Sequence, residues 1–334
     1  MHRRHRERGI VVNRRQFVSS LGASALALPG FANGGAKPLR GIFPIMQTPY
    51  TPDNRVDNAV LAKQVHFLER CRVHGMVWPQ LASEYFHLTT AERIAGVEAI
   101  LAAGKGVKPA IVVGCQAPDS SQAAEYARHA TRLGADAIIA LPPQGMTEEA
   151  AITAYYKAIG AASPLPMFVQ AIGNMSVDFV VRLTMEVPTL RYIKDEAGPV
   201  LARYGEFRRK APELHSFTGG HGRTLYDEMV RGFAGSMPAA AFGDLYSQAW
   251  DLYHAGRKRE AVDYFSRACL LIIEVETYGL EAIKYILQLR GVFPSYTIRK
   301  GPGGGGGGKA VAFDDGARRS LRELMEHVRP QLLV

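Results

Sequence analysis

The chain has 334 residues, 47% of them apolar and 21% charged, which are ordinary proportions for a soluble globular protein and long enough for one large α/β domain or two smaller ones. Its formal charge of +9 is largely local: residues 1–36 hold six arginines against the single acid Glu7, which leaves +4 for the rest of the chain. That remainder is scattered without a basic block, which argues against a nucleic-acid partner.

The first element is a targeting signal rather than a fold element. "NRRQFVSSLGASALALPGFANGGA" has paired arginines, Arg14 and Arg15, then Phe17, a modest apolar stretch and small residues. This is the outline of a twin-arginine export signal, with cleavage expected near Ala32 to Ala36 and a periplasmic or otherwise exported mature protein. The stretch is too short and too rich in Gly, Ser and Ala for a stable membrane span. An uncleaved anchor or a misassigned start codon is the alternative. Cys71, Cys115 and Cys269 form an odd, sparse set without a C-x-x-C, so they read as packing residues, not as a disulfide framework or a zinc site.

From Gly41 onward, short apolar runs alternate with segments whose apolar residues recur every three or four positions. The runs are "GIFPIMQTP", "GMVWPQ", "PAIVVGCQ", "DAIIALPP", "PMFVQAIG", "LRYIKDEA", "LHSFTGG" and "GFAGSMPA". Gly75, Gly134 and Gly232 punctuate the helix-to-strand turns. Eight βα units in a row predict a (β/α)8 TIM barrel over residues 39–240, with an open doubly wound sheet as the alternative. No G-x-G-x-x-G follows the first strand, which weakens the open-sheet reading. Residues 241–334 turn helical and are expected to add three helices beyond the barrel. "GPGGGGGGKA" mimics a phosphate-binding loop, but Ala310 stands where a Ser or Thr would bind the metal and no strand precedes it. Residues 301–308 are therefore expected to be a linker.

Barrel active sites stand at the C-terminal ends of the strands. Those ends supply Thr48, Gln80 with the following Ala82, Ser83 and Glu84, then Gln116, Gln144, Gln170, Lys194, Gly219 with Gly220, and Met237. Lys194 is the one lysine of the set. In a cavity with low-dielectric walls an amine loses its proton more readily, and a neutral amine attacks a carbonyl to give an imine. The competing reading is a salt bridge to Asp195 or Glu196. Gly219, Gly220 and Arg223 could hold an anion, or form only a glycine-rich turn. His74, His87, His215 and His221 lack metal-ligand spacing, so neither a metal nor any other cofactor is expected. His215 is expected to lie in the core or wall of the barrel, and Trp78 to serve barrel packing rather than as a ligand platform.

Several blocks resemble the dihydrodipicolinate synthase and N-acetylneuraminate lyase family of class I aldolases: "PIMQTPYTPDNRVD", "SEYFHLTTAER", "YIKDEAG", "GFAGSM" and "FDDGARRSLRELME", in the family's order. The resemblance implies that Lys194 forms the imine and that the chain assembles as a homo-oligomer, a dimer or tetramer. It also exposes departures. Where the family has a G-T-T-G-E loop that holds the substrate carboxylate, this chain has "QLASE", so Leu81 and Ala82 replace hydroxyl residues. The family's catalytic tyrosine falls at Gln144 in "LPPQGM", and its Tyr-Asn pair at Gln170 and Ala171. A glutamine exchanges hydrogen bonds but does not shuttle protons as a phenol does. The expectation is an exported, divergent Schiff-base lyase, dehydratase or aldolase for a small 2-oxo acid or sugar-derived compound, with Gln144, Gln170 and a water replacing the relay. A binding protein that kept the barrel and lost turnover is the alternative.

Overall fold

The computed structural model describes residues 36–299 and 311–334. The stretch expected to be an export signal, Ala36 apart, and the glycine run expected to be a linker lie outside the described residues. Eight strands follow in chain order, separated by helices: β1 (Gly41–Ile42), α1 (Asn58–Arg70), β2 (Gly75–Trp78), α2 (Thr90–Ala103), β3 (Ala110–Gly114), α3 (Ser120–Arg132), β4 (Ala137–Ala140) and α4 (Glu149–Ala162). Then come β5 (Met167–Ala171), α5 (Val177–Glu186), β6 (Leu190–Asp195), α6 (Val200–Lys210), β7 (His215–Thr218), α7 (Leu225–Arg231), β8 (Gly235–Ser236) and α8 (Gly243–His254). Every strand pair is parallel, in the order β1-β8-β7-β6-β5-β4-β3-β2. The ring closes through backbone bonds just past β1, where Met46 N donates to Val77 O at 2.9 Å and Val77 N donates to Pro44 O at 3.0 Å. It is a TIM barrel, not an open sheet. Beyond α8 lie α9 (Lys258–Tyr278), α10 (Leu280–Leu289) and α11 (Asp315–Val328), the three additional helices.

The helices start where short polar side chains take up the free N–H groups of the first turn. Asp57, Asp119, Ser176 and Asp314 each accept such a bond, and Thr89 with Glu92 forms a reciprocal capping box. The strands obey a period of two. Phe43, Val77, Val112, Ile139, Phe168 and Phe217 point into the barrel as an inner cluster, while alternate residues face the helices. Three rings fill the axis: Phe43 and Phe217 meet edge to face at 5.3 Å, and Phe168 meets Phe217 at 5.2 Å. Burying each ring contributes about 1.5–3 kcal/mol, so the interior is a plugged floor and the open end is the rim of strand C-termini. Trp78 packs as expected, fully buried with its indole N–H on Thr48 Oγ1 at 3.1 Å. Cys71 and Cys115 are buried and Cys269 half-buried, all as free thiols. His215 departs from expectation: it begins β7 at the closed end of the barrel and is exposed, stacked on Tyr192 at 5.0 Å.

Candidate active site

On β6 the alternation puts Tyr192 and Lys194 on the inner face, and the next residue in that series is Glu196. Lys194 is 4% exposed and stands above the aromatic floor, beside Gln170 of β5 and Phe217 of β7. Its Nζ donates to Glu196 Oε2 at 2.9 Å. Asp195 faces the helices and pairs with Arg203 at 2.8 Å, so of the two acids beside the lysine only Glu196 serves it. Gln170 Nε2 donates to the same Glu196 oxygen at 2.5 Å, and Gly220 N donates to Oε1 at 3.3 Å. Burial pushes the Glu196 carboxyl up, but Lys194, Gln170 and the Gly220 N–H outweigh it and hold the group below its ordinary value.

Gly219 is required by this crowding. A Cβ there would lie 1.7 Å from Glu196 Oε1 and 2.9 Å from Lys194 Cε, so any side chain would drive the pair apart. Gly220 takes a φ of +55°, which glycine tolerates and which aims its N–H at the carboxylate. The one N–H this turn directs to an anion, that of Gly220, goes to the protein's own Glu196. A cavity of about 370 Å³ opens beside Glu196, lined by it with Thr218, Gly219, Gly220 and Arg223 among others, and not by Lys194.

The remaining expected residues separate into three groups. Gln170 sits at the lysine, with its Oε1 buried and without a partner among the described residues. Thr48, Gln80 and Ser83 form a buried network of their own: Thr48 Oγ1 donates to Ser83 O at 2.6 Å, and Ser83 Oγ donates to Met46 O at 2.5 Å. Gln80 Nε2 donates to Gln116 Oε1 at 3.1 Å, while Gln80 Oε1 is buried without a partner. Ala82 and Met237 pack against or within the inner apolar cluster.

Two expected residues have other surroundings. Gln144 is exposed and lines another cleft, with Tyr85, Arg93, Gln122 and Pro143, and no described hydrogen bond joins it to Lys194. Glu84, read from the sequence as a loop anchor ahead of a substrate contact, has both oxygens occupied: Oε2 by the Lys284 ammonium and Oε1 by Arg299 N at 2.9 Å. These bonds fix a residue whose φ of +58° lies in the left-handed region, a conformation that costs a non-glycine residue about 1–2 kcal/mol. Glu84 anchors its loop. Lys284 is fully buried, and desolvation pulls its ammonium down to about 8 against the opposing pull of Glu84.

The site residue that the sequence under-reported is Glu196. Its signal was present, because counting by two from Lys194 along an extended strand lands on Glu196 and passes over Asp195. Lys284, ninety residues beyond Lys194 in a helical pattern, carried no such signal.

The model of the dihydrodipicolinate synthetase family matches residues 38–303. The chain belongs to that family. Its relatives carry the names of lyases and a dehydratase. An uncharacterized DapA-like lyase of Thermococcus kodakarensis is 25% identical, over 78% of this chain and 94% of that protein. L-2-keto-3-deoxyarabonate dehydratase of Azospirillum brasilense is 28% identical, over 77% of this chain and 86% of the dehydratase. Among solved structures, dihydrodipicolinate synthase from Rhodopseudomonas palustris superposes with a TM-score of 0.75 at 24% identity, covering 86% of this chain and 97% of the synthase, which supports the same barrel.

Proposed function

We propose that the protein is an imine-forming lyase, dehydratase or aldolase acting on a small 2-oxo acid or sugar-derived carbonyl compound, with Lys194 as the nucleophile. The observation that carries this reading is the placement of Lys194 Nζ. It is a buried amine at the C-terminal end of a barrel strand, in direct contact with one carboxylate that can take its proton. Membership of the family and the dehydratase relative support it.

The chemistry follows from the contacts. Lys194 passes a proton to Glu196, and its free amine adds to the substrate carbonyl. The carbinolamine hydroxyl then leaves as water with the proton that Glu196 returns, and the resulting iminium draws electrons from the neighbouring carbon. Gln170 and Gly220 hold the carboxylate in reach throughout. The twin-arginine motif adds export to this reading, which the N-terminus of the mature protein from cells would test. Family resemblance adds a homo-oligomer, tested by light scattering.

Borohydride trapping with pyruvate and a panel of 2-oxo sugar acids tests the nucleophile. The expected result is a mass gain that maps to Lys194 and is absent from Lys194→Ala. The Lys194–Glu196 ion pair also fits a binding protein that has lost turnover, since the pair stabilises a charged, non-nucleophilic amine. Saturable binding of an unconverted ligand, unaffected by Lys194→Ala and without any adduct, would decide for that second reading.

A further inference from the structure

The reaction needs a proton carrier besides Glu196. Once the iminium has formed, a proton must leave the neighbouring carbon, while Glu196 still faces the Lys194 nitrogen at 2.9 Å. The Gln170 amide exchanges hydrogen bonds but carries no proton, and Gln144 lies in the other cleft. In the cavity beside Glu196, Asp195 is held by Arg203 at 2.8 Å, and Arg223 brings a guanidinium, which does not release its proton. His221 is on the same turn but does not line the cavity.

A buried acid behind that wall has no part in the steps above. Glu228 of α7 is 0% exposed, and no cation bears on it among the described residues. Its Oε1 accepts the hydroxyl hydrogen of Thr224 at 2.6 Å, and its Oε2 is buried without a partner among the described residues. Thr218 of β7 and Ser236 of β8, joined to each other at 3.1 Å, face the same carboxyl. Burial pushes that carboxyl up to about 7, and the titratable groups around it, Asp227 on its own helix and Tyr246 of α8, add no positive charge.

Thr224 links this acid to the substrate side. It lines the cavity together with Glu196, Thr218 and Gly219. Gly219 puts no side chain between that cavity and Lys194, since a Cβ there would lie 2.9 Å from Lys194 Cε. The Thr224 side chain makes no capping bond to α7, so its hydroxyl has Glu228 as its one described partner. That bond works in both directions. With Glu228 ionised, Thr224 donates to it and keeps its lone pairs for the cavity. With Glu228 protonated, the carboxyl donates and the Thr224 hydrogen is free to turn outward.

We infer that Glu228, acting through the Thr224 hydroxyl, is the proton store that serves the carbon next to the iminium. The inference rests on the imine reading above and supplies its next step. The C–H bond beside the iminium breaks, and its electron pair forms the C=C bond of an enamine as C=N becomes C–N. The proton goes to Thr224 Oγ1, whose own proton passes to Glu228. The reverse path returns it.

The test separates proton transfer from imine formation. The protein is incubated in D2O with pyruvate or with the panel of 2-oxo sugar acids, and deuterium entering C3 is read by NMR. Borohydride trapping reads the Lys194 adduct in parallel, with Lys194→Ala as background. The wild-type protein is expected to exchange C3 at a rate per adduct that rises as the pH passes through about 7. Glu228→Gln, which keeps an acceptor for Thr224, and Thr224→Val, which removes the hydroxyl, should each lose roughly a hundredfold of the exchange while the adduct persists. Thr224→Ser should restore it. Unchanged exchange in either folded variant, or a fall matched by an equal fall in adduct, would overturn the inference and leave the imine reading intact. A wild-type adduct without exchange would do the same. No Lys194 adduct from any compound would overturn both. If Glu228→Gln fails to fold, Thr224→Val decides alone.

Discussion

Among the described residues two lysine–glutamate pairs have a buried lysine, Lys194 and Lys284, and they differ in what is left over. In the pair of Lys284 with Glu84 both side chains are almost fully buried, at 0% and 1% exposure. Lys284 also donates to Thr297 O at 2.8 Å and lies over the Tyr50 ring at 4.5 Å, and the second Glu84 oxygen takes Arg299 N. Nothing there remains for a ligand. In the pair of Lys194 with Glu196 the exposures are 6% and 26%, the ammonium has the carboxylate as its one described partner, Gln170 Oε1 is unpaired among the described residues, and Glu196 lines a cavity. A saturated pair holds structure in place. An unsaturated pair beside open space is where chemistry can enter.

The largest effect should come from breaking the closed pair. Lys284→Met strands Glu84 in the interior without its counter-charge and should cost about 3–5 kcal/mol, read as a large fall in the urea midpoint. Adding Glu84→Gln to Lys284→Met should recover about 2 kcal/mol of that loss, because the stranded charge is gone, and the double-mutant cycle measures the coupling.

Glu228, on α7, sharpens the contrast as a buried acid with no cation. Burial pushes its carboxyl up to about 7, against lowering hydrogen bonds from Thr224, Thr218 and Ser236. A raised carboxyl means that the folded chain binds the proton more tightly than the unfolded one. Stability should therefore be full below about pH 4.5 and fall as the pH rises through 7, by about 3 kcal/mol in all. Glu228→Gln should flatten that profile, checked by urea unfolding between pH 4.5 and 8.

The open pair should behave oppositely. Lys194→Ala should cost less stability than Lys284→Met, since Glu196 is 26% exposed and Gln170 and Gly220 still hold it. Reductive methylation with formaldehyde in the native state should modify Lys194 roughly tenfold faster than Lys284, whose exposure requires local unfolding. Equal rates at the two lysines, read by peptide mass, would erase the distinction.

The sequence by itself determined the barrel and the lysine. Eight apolar runs spaced by amphipathic segments leave few other folds, because strand and helix periodicities are local properties of the chain. Lys194 was legible for the same reason: the end of a barrel strand can be read from a single run. The partners of Lys194 were legible only in part. Strand alternation selects Glu196 over Asp195, but it does not reveal that Gln170 and Gly220 converge on the same carboxylate from β5 and the turn after β7. Gln144 was placed by likeness at a strand end, yet the loop after β4 carries it to a separate cleft. The sequence left Glu84 between loop anchor and substrate contact, and only the arrival of Lys284 from a helix two hundred residues away occupies it as an anchor. Whether a charge is spent or available depends on which distant side chains reach it. That is a property of three-dimensional packing, which no local pattern records.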